Sequence, residues 1–165
     1  GKIDDIARGL ANFHGVGRRC QHYPEIQHAG KTALLIDDYG HHPVELKATL
    51  SALRGAYPEK RMVVIFQPHR YTRTRDLFDD FVSVLSDVDQ LIITEVYPAG
   101  EKPIALADGR ALVRAIRLQG NENAIFAEDI VDAKRKLFNI LQQDDLVVTM
   151  GAGSVGKLPA MLNND

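Results

Sequence analysis

Four short runs of apolar residues limit what this chain can fold into. They are Ala33-Leu34-Leu35-Ile36, Met62-Val63-Val64-Ile65-Phe66, Leu91-Ile92-Ile93 and Leu146-Val147-Val148-Thr149-Met150. Each has the length of a strand, and none alternates with charged residues, so each reads as buried on both faces. The segments between them carry apolar residues at helical spacing. Leu46, Leu50 and Leu53 follow the first run, and Leu77, Phe81, Val84, Leu85 and Val88 follow the second. After the third run, which Val96 extends, come Leu112, Ala115 and Ile116, then a short strand at Ala124-Ile125-Phe126-Ala127. Ile130, Ala133, Leu137, Ile140 and Leu141 mark another helix, and Leu158, Met161 and Leu162 suit a short closing one. Doubly buried strands alternating with helices predict an α/β domain, a mostly parallel sheet with helices on both faces.

The N-terminal part reads differently. Ile6, Leu10 and Phe13 fall on one helical face, with Asp4 as N-cap, and Gly15-Val16-Gly17 ends that helix before Arg18 and Arg19. No strand precedes it and the chain opens on Gly1, which fits a piece of a larger protein. Cys20 to Gln27 reads as a strand. His28-Ala29-Gly30-Lys31 is a hairpin signal into the strand from Thr32 to Asp37.

Composition narrows the function. A length of 165 residues fits one domain with a short extra piece. The net charge of −2 gives no field that favours nucleic acid or an anionic membrane. With no Trp and no Lys/Arg-rich run, single-strand binding is disfavoured as well. No apolar run approaches the roughly 20 residues a membrane helix needs, and no signal-peptide region is evident. Cys20 is the only cysteine, which favours a cytoplasmic home. Beside Arg18 and Arg19 its pKa could fall, but a passive residue is the simpler reading.

The chemistry-bearing residues gather after the strands. The first run leads into Asp37-Asp38-Tyr39-Gly40-His41-His42-Pro43-Val44-Glu45. Pro43 suits a first helical turn, where its missing N–H costs nothing. In open α/β sheets ligands bind beyond the carboxyl ends of the strands, where this turn belongs. The plainer alternative is a helix start capped by Asp and His. Gln67-Pro68-His69-Arg70-Tyr71-Thr72-Arg73-Thr74-Arg75 also follows a strand and opens a helix. Arginine at a helix start opposes the macrodipole, so Arg70, Arg73 and Arg75 suggest an anion clamp. The alternative is ion pairing with Asp76, Asp79 and Asp80.

Gly151-Ala152-Gly153-Ser154-Val155-Gly156-Lys157-Leu158 satisfies G-x-G-x-x-G after a strand. A dinucleotide site, however, needs an acidic residue about 20 residues on, and only nine residues follow Gly156. A P-loop needs Ser or Thr where Leu158 stands. The loop therefore reads as a close backbone approach, to a ligand or to a neighbouring loop, without NAD. The loop Tyr97-Pro98-Ala99-Gly100-Glu101-Lys102-Pro103 is turn-rich. A metal site from Asp37, Asp38 and His41 is disfavoured, since adjacent His41 and His42 diverge.

With Phe66, Glu95-Val96-Tyr97-Pro98-Ala99-Gly100-Glu101 and Gly15-Val16-Gly17-Arg18-Arg19 added to these motifs, the chain resembles the C-terminal domain of the Mur ligases over nearly its whole length. The resemblance implies a Rossmann-like fold that binds no NAD. It is closest to the branch that joins L-alanine to the lactyl carboxylate of UDP-N-acetylmuramate in peptidoglycan synthesis. There ATP phosphorylates the carboxylate, the amine attacks the acyl phosphate, and phosphate leaves. The P-loop and the Mg2+ ligands belong to a central domain, and the UDP part to an N-terminal one. Both would be partners of this chain, which alone should be catalytically inert. Residues 1–22 would be the tail of the central domain or a linker, and residues 23–165 the C-terminal domain.

The resemblance further implies ATP contacts from Arg19, Asp38 and Tyr39, with Asp38 on the ribose. It implies amino-acid contacts from Tyr39, His41, Arg70, Arg73 and Ser154, and catalytic roles for His41, Arg70 and Arg73, without a metal ligand. Three alternatives stay open. One is the related ligase that recycles a tripeptide. Another is a dinucleotide module built on Gly151, Gly153 and Gly156. The last is a domain that only docks on its partners.

Overall fold

The computed structural model describes residues 19–163. The helix expected around Ile6, Leu10 and Phe13 lies outside them. Six strands form one sheet: β1 (Gln21–His28), β2 (Lys31–Asp38), β3 (Met62–Phe66), β4 (Gln90–Thr94), β5 (Ala124–Ala127) and β6 (Leu146–Met150). Their order is β1-β2-β6-β3-β4-β5. Only β1 runs antiparallel, as the hairpin partner of β2. Ala29 and Gly30 both take positive φ, 51° and 78°, in the two-residue turn between them.

Six α-helices complete the described chain: α1 (Pro43–Ala56), α2 (Tyr71–Asp76), α3 (Phe78–Leu85), α4 (Gly109–Leu118), α5 (Ile130–Ile140) and α6 (Leu158–Leu162). A 3-10 turn at Ser154–Lys157 precedes the last. The apolar runs divide residue by residue between two cores, because successive strand side chains point to opposite faces. Ile36, Met62, Val64, Phe66, Val148 and Met150 pack under Leu46, Leu53, Phe81, Leu85 and Ile116 from α1, α3 and α4. Leu35, Val63, Ile65, Ile92 and Val147 pack against Ala133, Leu137, Leu158 and Leu162 from α5 and α6.

The helix expected over Leu77 to Val88 is shorter than its pattern. A break at Leu77 separates α2 from α3, and Val88 is buried beyond the helix end. Val96 likewise lies past β4 but is buried. Burial made both residues apolar, so the pattern ran past the hydrogen-bonded element.

β6 enters the sheet last, between β2 and β3. Its following turn therefore sits between theirs. Backbone bonds lock these turns together at the sheet's carboxyl end. Gly151 donates to Asp38 at 3.1 Å, Gln67 to Met150 at 3.0 Å, and Arg70 to Tyr97 at 2.8 Å.

Candidate functional site

The turn after β2 is built on two buried carboxylates. Asp38 is fully buried. It accepts from the amides of Cys20 and Gly40, both at 2.9 Å, and from Thr49 Oγ1 at 3.3 Å. In this conformation Asp38 holds the turn and faces no open space. Asp37 accepts from Thr149 Oγ1 at 2.6 Å. A side chain on Gly40 would meet Asp38 Oδ2 at 2.7 Å, so glycine is what lets the turn close.

His42 caps α1 by accepting from Val44 N, while Glu45 Oε1 accepts from the amides of His41 and His42 at 3.2 and 3.0 Å. This is a capping box with His in the place of Ser or Thr. The other Glu45 oxygen takes Arg19 at 2.8 Å. Burial alone pushes the Glu45 carboxyl up, but Arg19 and the two amides outweigh it and bring it down to about 2. Arg19 in turn lies 5.7 Å from the Tyr39 ring centroid.

The turn after β3 carries backbone strain. Arg70 has φ of 73°, a region that bulky residues seldom occupy. Its N–H goes to Tyr97, and its carbonyl accepts from Thr74 N and Oγ1. Such strain persists only where neighbours enforce it, and it gathers at functional sites. Arg73 donates to the His69 carbonyl at 2.9 Å and lies 3.2 Å from His69 Nδ1. Guanidinium has no acceptor, so Nδ1 accepts and a neutral His69 carries its proton on Nε2. Burial, then Arg73, His41 and Arg70, hold the His69 pKa below its ordinary value.

Four rings line this end of the sheet. Tyr39 and His41 meet at 5.2 Å, His41 and His69 at 5.8 Å, and His69 stacks on Tyr97 at 5.4 Å and 11°. Glu101 accepts from Thr72 N and Oγ1 and stands 3.9 Å from Arg70. The hydrogen bonds from Thr72 hold the Glu101 carboxyl below the usual range. Arg75 pairs with Asp76 at 2.8 Å, both exposed, so the ion-pair reading describes Arg75.

The glycine loop approaches the chain itself. A Cβ on Gly151 would stand 2.8 Å from the Gln67 carbonyl oxygen, and one on Gly153 would stand 2.6 Å from Tyr97 Cγ. Gly151 takes φ of 142°. Gln67 bridges to the loop, donating to Ser154 Oγ at 2.8 Å and accepting from Val155 N at 2.9 Å.

Arg19, Tyr39, His41, Arg70 and Arg73 are thus assembled on adjoining turns, with Ser154 joined to them through Gln67. Asp38 lies beneath them. Sequence reasoning gave no role to Gln67, His69, Tyr97, Glu45 or Glu101. All five lie inside the motifs, and the H-x-x-E spacing of the capping box was readable. Cys20 is buried, and that burial, then Asp38, pushes its thiol up to about 12, so it is passive. Among the described residues no group of three or more His, Cys, Asp or Glu side chains is arranged to hold a metal ion. A groove of about 660 Å³ between α1 and α3 contains none of Tyr39, His41, Arg70 and Arg73, so it is separate from this chemistry.

Residues 18–153 match the family model for the Mur ligase, glutamate ligase domain. The UDP-N-acetylmuramate–L-alanine ligase of Neisseria meningitidis serogroup A is 60% identical over 161 residues, covering 97% of this chain and 34% of that protein. The protein of the same name from Thiobacillus denitrificans is 56% identical over 164 residues, covering 97% of this chain and 35% of that protein. The chain therefore spans about a third of the length of these curated relatives. Among solved structures, the UDP-N-acetylmuramate–alanine ligase of Thermotoga maritima superposes with a TM-score of 0.67 at 24% identity, over 94% of this chain and 31% of that one. A domain from a putative UDP-N-acetylmuramate:tripeptide ligase of Haemophilus ducreyi gives 0.62 at 20% identity, over 87% of this chain and 99% of that one. Both show the same fold.

Proposed function

We propose a function from one premise that the comparisons show: the chain belongs to the Mur ligase family, by its glutamate ligase domain. In this reading it is the C-terminal domain, from about residue 23, of a cytoplasmic ATP-dependent ligase that joins L-alanine to UDP-N-acetylmuramate. The observation that carries it is the assembly of Arg70 and Arg73 beside Tyr39, His41 and His69 at the carboxyl end of the sheet.

Arg73, already held by His69, offers its remaining N–H groups to a carboxylate, and strained Arg70 stands beside it. His41 and Tyr39 orient the amine of the incoming amino acid. Arg19 and Tyr39 face the nucleotide. Asp38 serves that side from beneath, through Cys20 next to Arg19 and Gly40 next to Tyr39; a direct ribose contact needs those bonds opened. The protein's contribution is positioning and charge stabilisation around an acyl phosphate, without covalent chemistry of its own. ATP supplies the phosphoryl group. The P-loop and Mg2+ ligands come from a central domain, to which residues 1–22 would lead.

Identity of 56–60% to curated UDP-N-acetylmuramate–L-alanine ligases supports L-alanine as the amino acid. The test is phosphate release by the full-length protein with ATP, Mg2+ and UDP-N-acetylmuramate. Release that depends on L-alanine, and not on L-alanyl-γ-D-glutamyl-diaminopimelate, supports the reading. The opposite preference sinks it.

A further inference from the structure

Gln67 directly follows β3 and is buried, and its side-chain amide has only one workable orientation. The Val155 backbone N–H is a donor, so the atom it meets at 2.9 Å is Oε1. Nε2 then lies on the other side, 2.8 Å from Ser154 Oγ. An amide nitrogen only donates, so Ser154 Oγ accepts there and its own proton turns elsewhere. Among the described residues no group takes that proton. The same loop packs through Gly153 on Tyr97, and Tyr97 stacks on His69, so Ser154 and the arginine turn share one wall.

We propose that Gln67 is a positioning residue that presents Ser154 as a hydrogen-bond donor to an anionic oxygen of the ligand held by Arg70 and Arg73. This rests on the ligase reading of the site. The oxygen belongs either to the amino-acid carboxylate or to a phosphate. Gln67→Glu separates the two bonds. It keeps an acceptor for Val155 but turns the second atom into an acceptor, which draws the Ser154 proton back from the ligand.

In the full-length protein, Gln67→Glu raises KM for L-alanine about tenfold with kcat little changed, the size of one hydrogen bond to a charged group. Ser154→Ala gives a similar rise, and the double variant adds nothing further, since both act through one bond. A rise in KM for ATP in place of L-alanine keeps the role and assigns the oxygen to a phosphate. Losses that add in full, or no change in either KM, overturn the proposal. The same variants are titrated with L-alanine and with ATP by calorimetry. Wild-type protein without L-alanine-dependent phosphate release would sink the ligase reading, while the ratios of dissociation constants still decide the role of Gln67.

Discussion

Glu45 holds three donors at once: Arg19 and the amides of His41 and His42. It fastens the start of α1 and the strand-entry residue Arg19 to the same carboxylate. Its pKa falls from 4.5 to about 2 on folding. A carboxyl whose pKa falls on folding stabilises the folded chain when ionised. That contribution is complete above the unfolded value and is lost as pH drops through the folded one. Glu45→Gln keeps an acceptor for the amides and loses the charge, so it should cost roughly 1 kcal/mol at neutral pH. Urea denaturation of both proteins measures it. The gap should hold from neutral pH down to about 4.5 and narrow towards pH 2. A gap that stays constant over that window would remove Arg19 and the amides as the cause. The motif announced Glu45 by its position, three residues after His42, but not its bond to Arg19. That pairing spans 26 residues and depends on how β1 lies beside β2.

At the level of elements, two glycines in helices make opposite predictions. Gly109 opens α4, and a Cβ there would meet the Thr94 carbonyl oxygen and stand 2.9 Å from the Phe126 ring. Alanine favours a helix by up to about 1 kcal/mol. Displacing a β4 carbonyl costs more, roughly 1–3 kcal/mol for an overpacked position. Gly109→Ala should therefore destabilise by about 1–2 kcal/mol on balance. Gly55, in the last turn of α1, has nothing within 4 Å of a built Cβ. Gly55→Ala should therefore gain about 0.5–1 kcal/mol. Chemical denaturation of the two variants beside the wild type measures both signs, and two shifts of the same sign would refute the steric account. The contrast marks what was legible. The apolar runs announced β2, β3, β4 and β6 because burial on both faces leaves no polar alternation. The break between α2 and α3 was not legible. Leu77 falls on the helical apolar pattern although its backbone, at φ −116° and ψ 23°, leaves the helix. The positive φ at Arg70, where α2 begins, was equally hidden, since the Tyr97 carbonyl that holds it lies 27 residues away in another turn.

In the proposed reading the whole domain presents half of a site. Arg73 is held by His69, and Ser154 by Gln67, before any ligand arrives. Side chains fixed in this way lower the ordering cost of binding. In that proposed reading the nucleotide side depends on phosphate-binding groups of a central domain, and Asp38 on that side is covered. The two ligands should thus behave differently with the 165-residue chain alone. In a 15N-labelled titration, L-alanine at millimolar concentration should shift amides of residues 67–75 and 151–156. ATP should shift residues 37–45 weakly, and phosphate should not be released even with Mg2+, UDP-N-acetylmuramate and L-alanine present. A dispersed spectrum unmoved by L-alanine would mean that the arginines reach their working geometry only when another domain closes over them. Turnover of ATP by this chain would refute the division of labour itself, since the charge at the phosphates would then have to be met by Arg19, Arg70 and Arg73 alone.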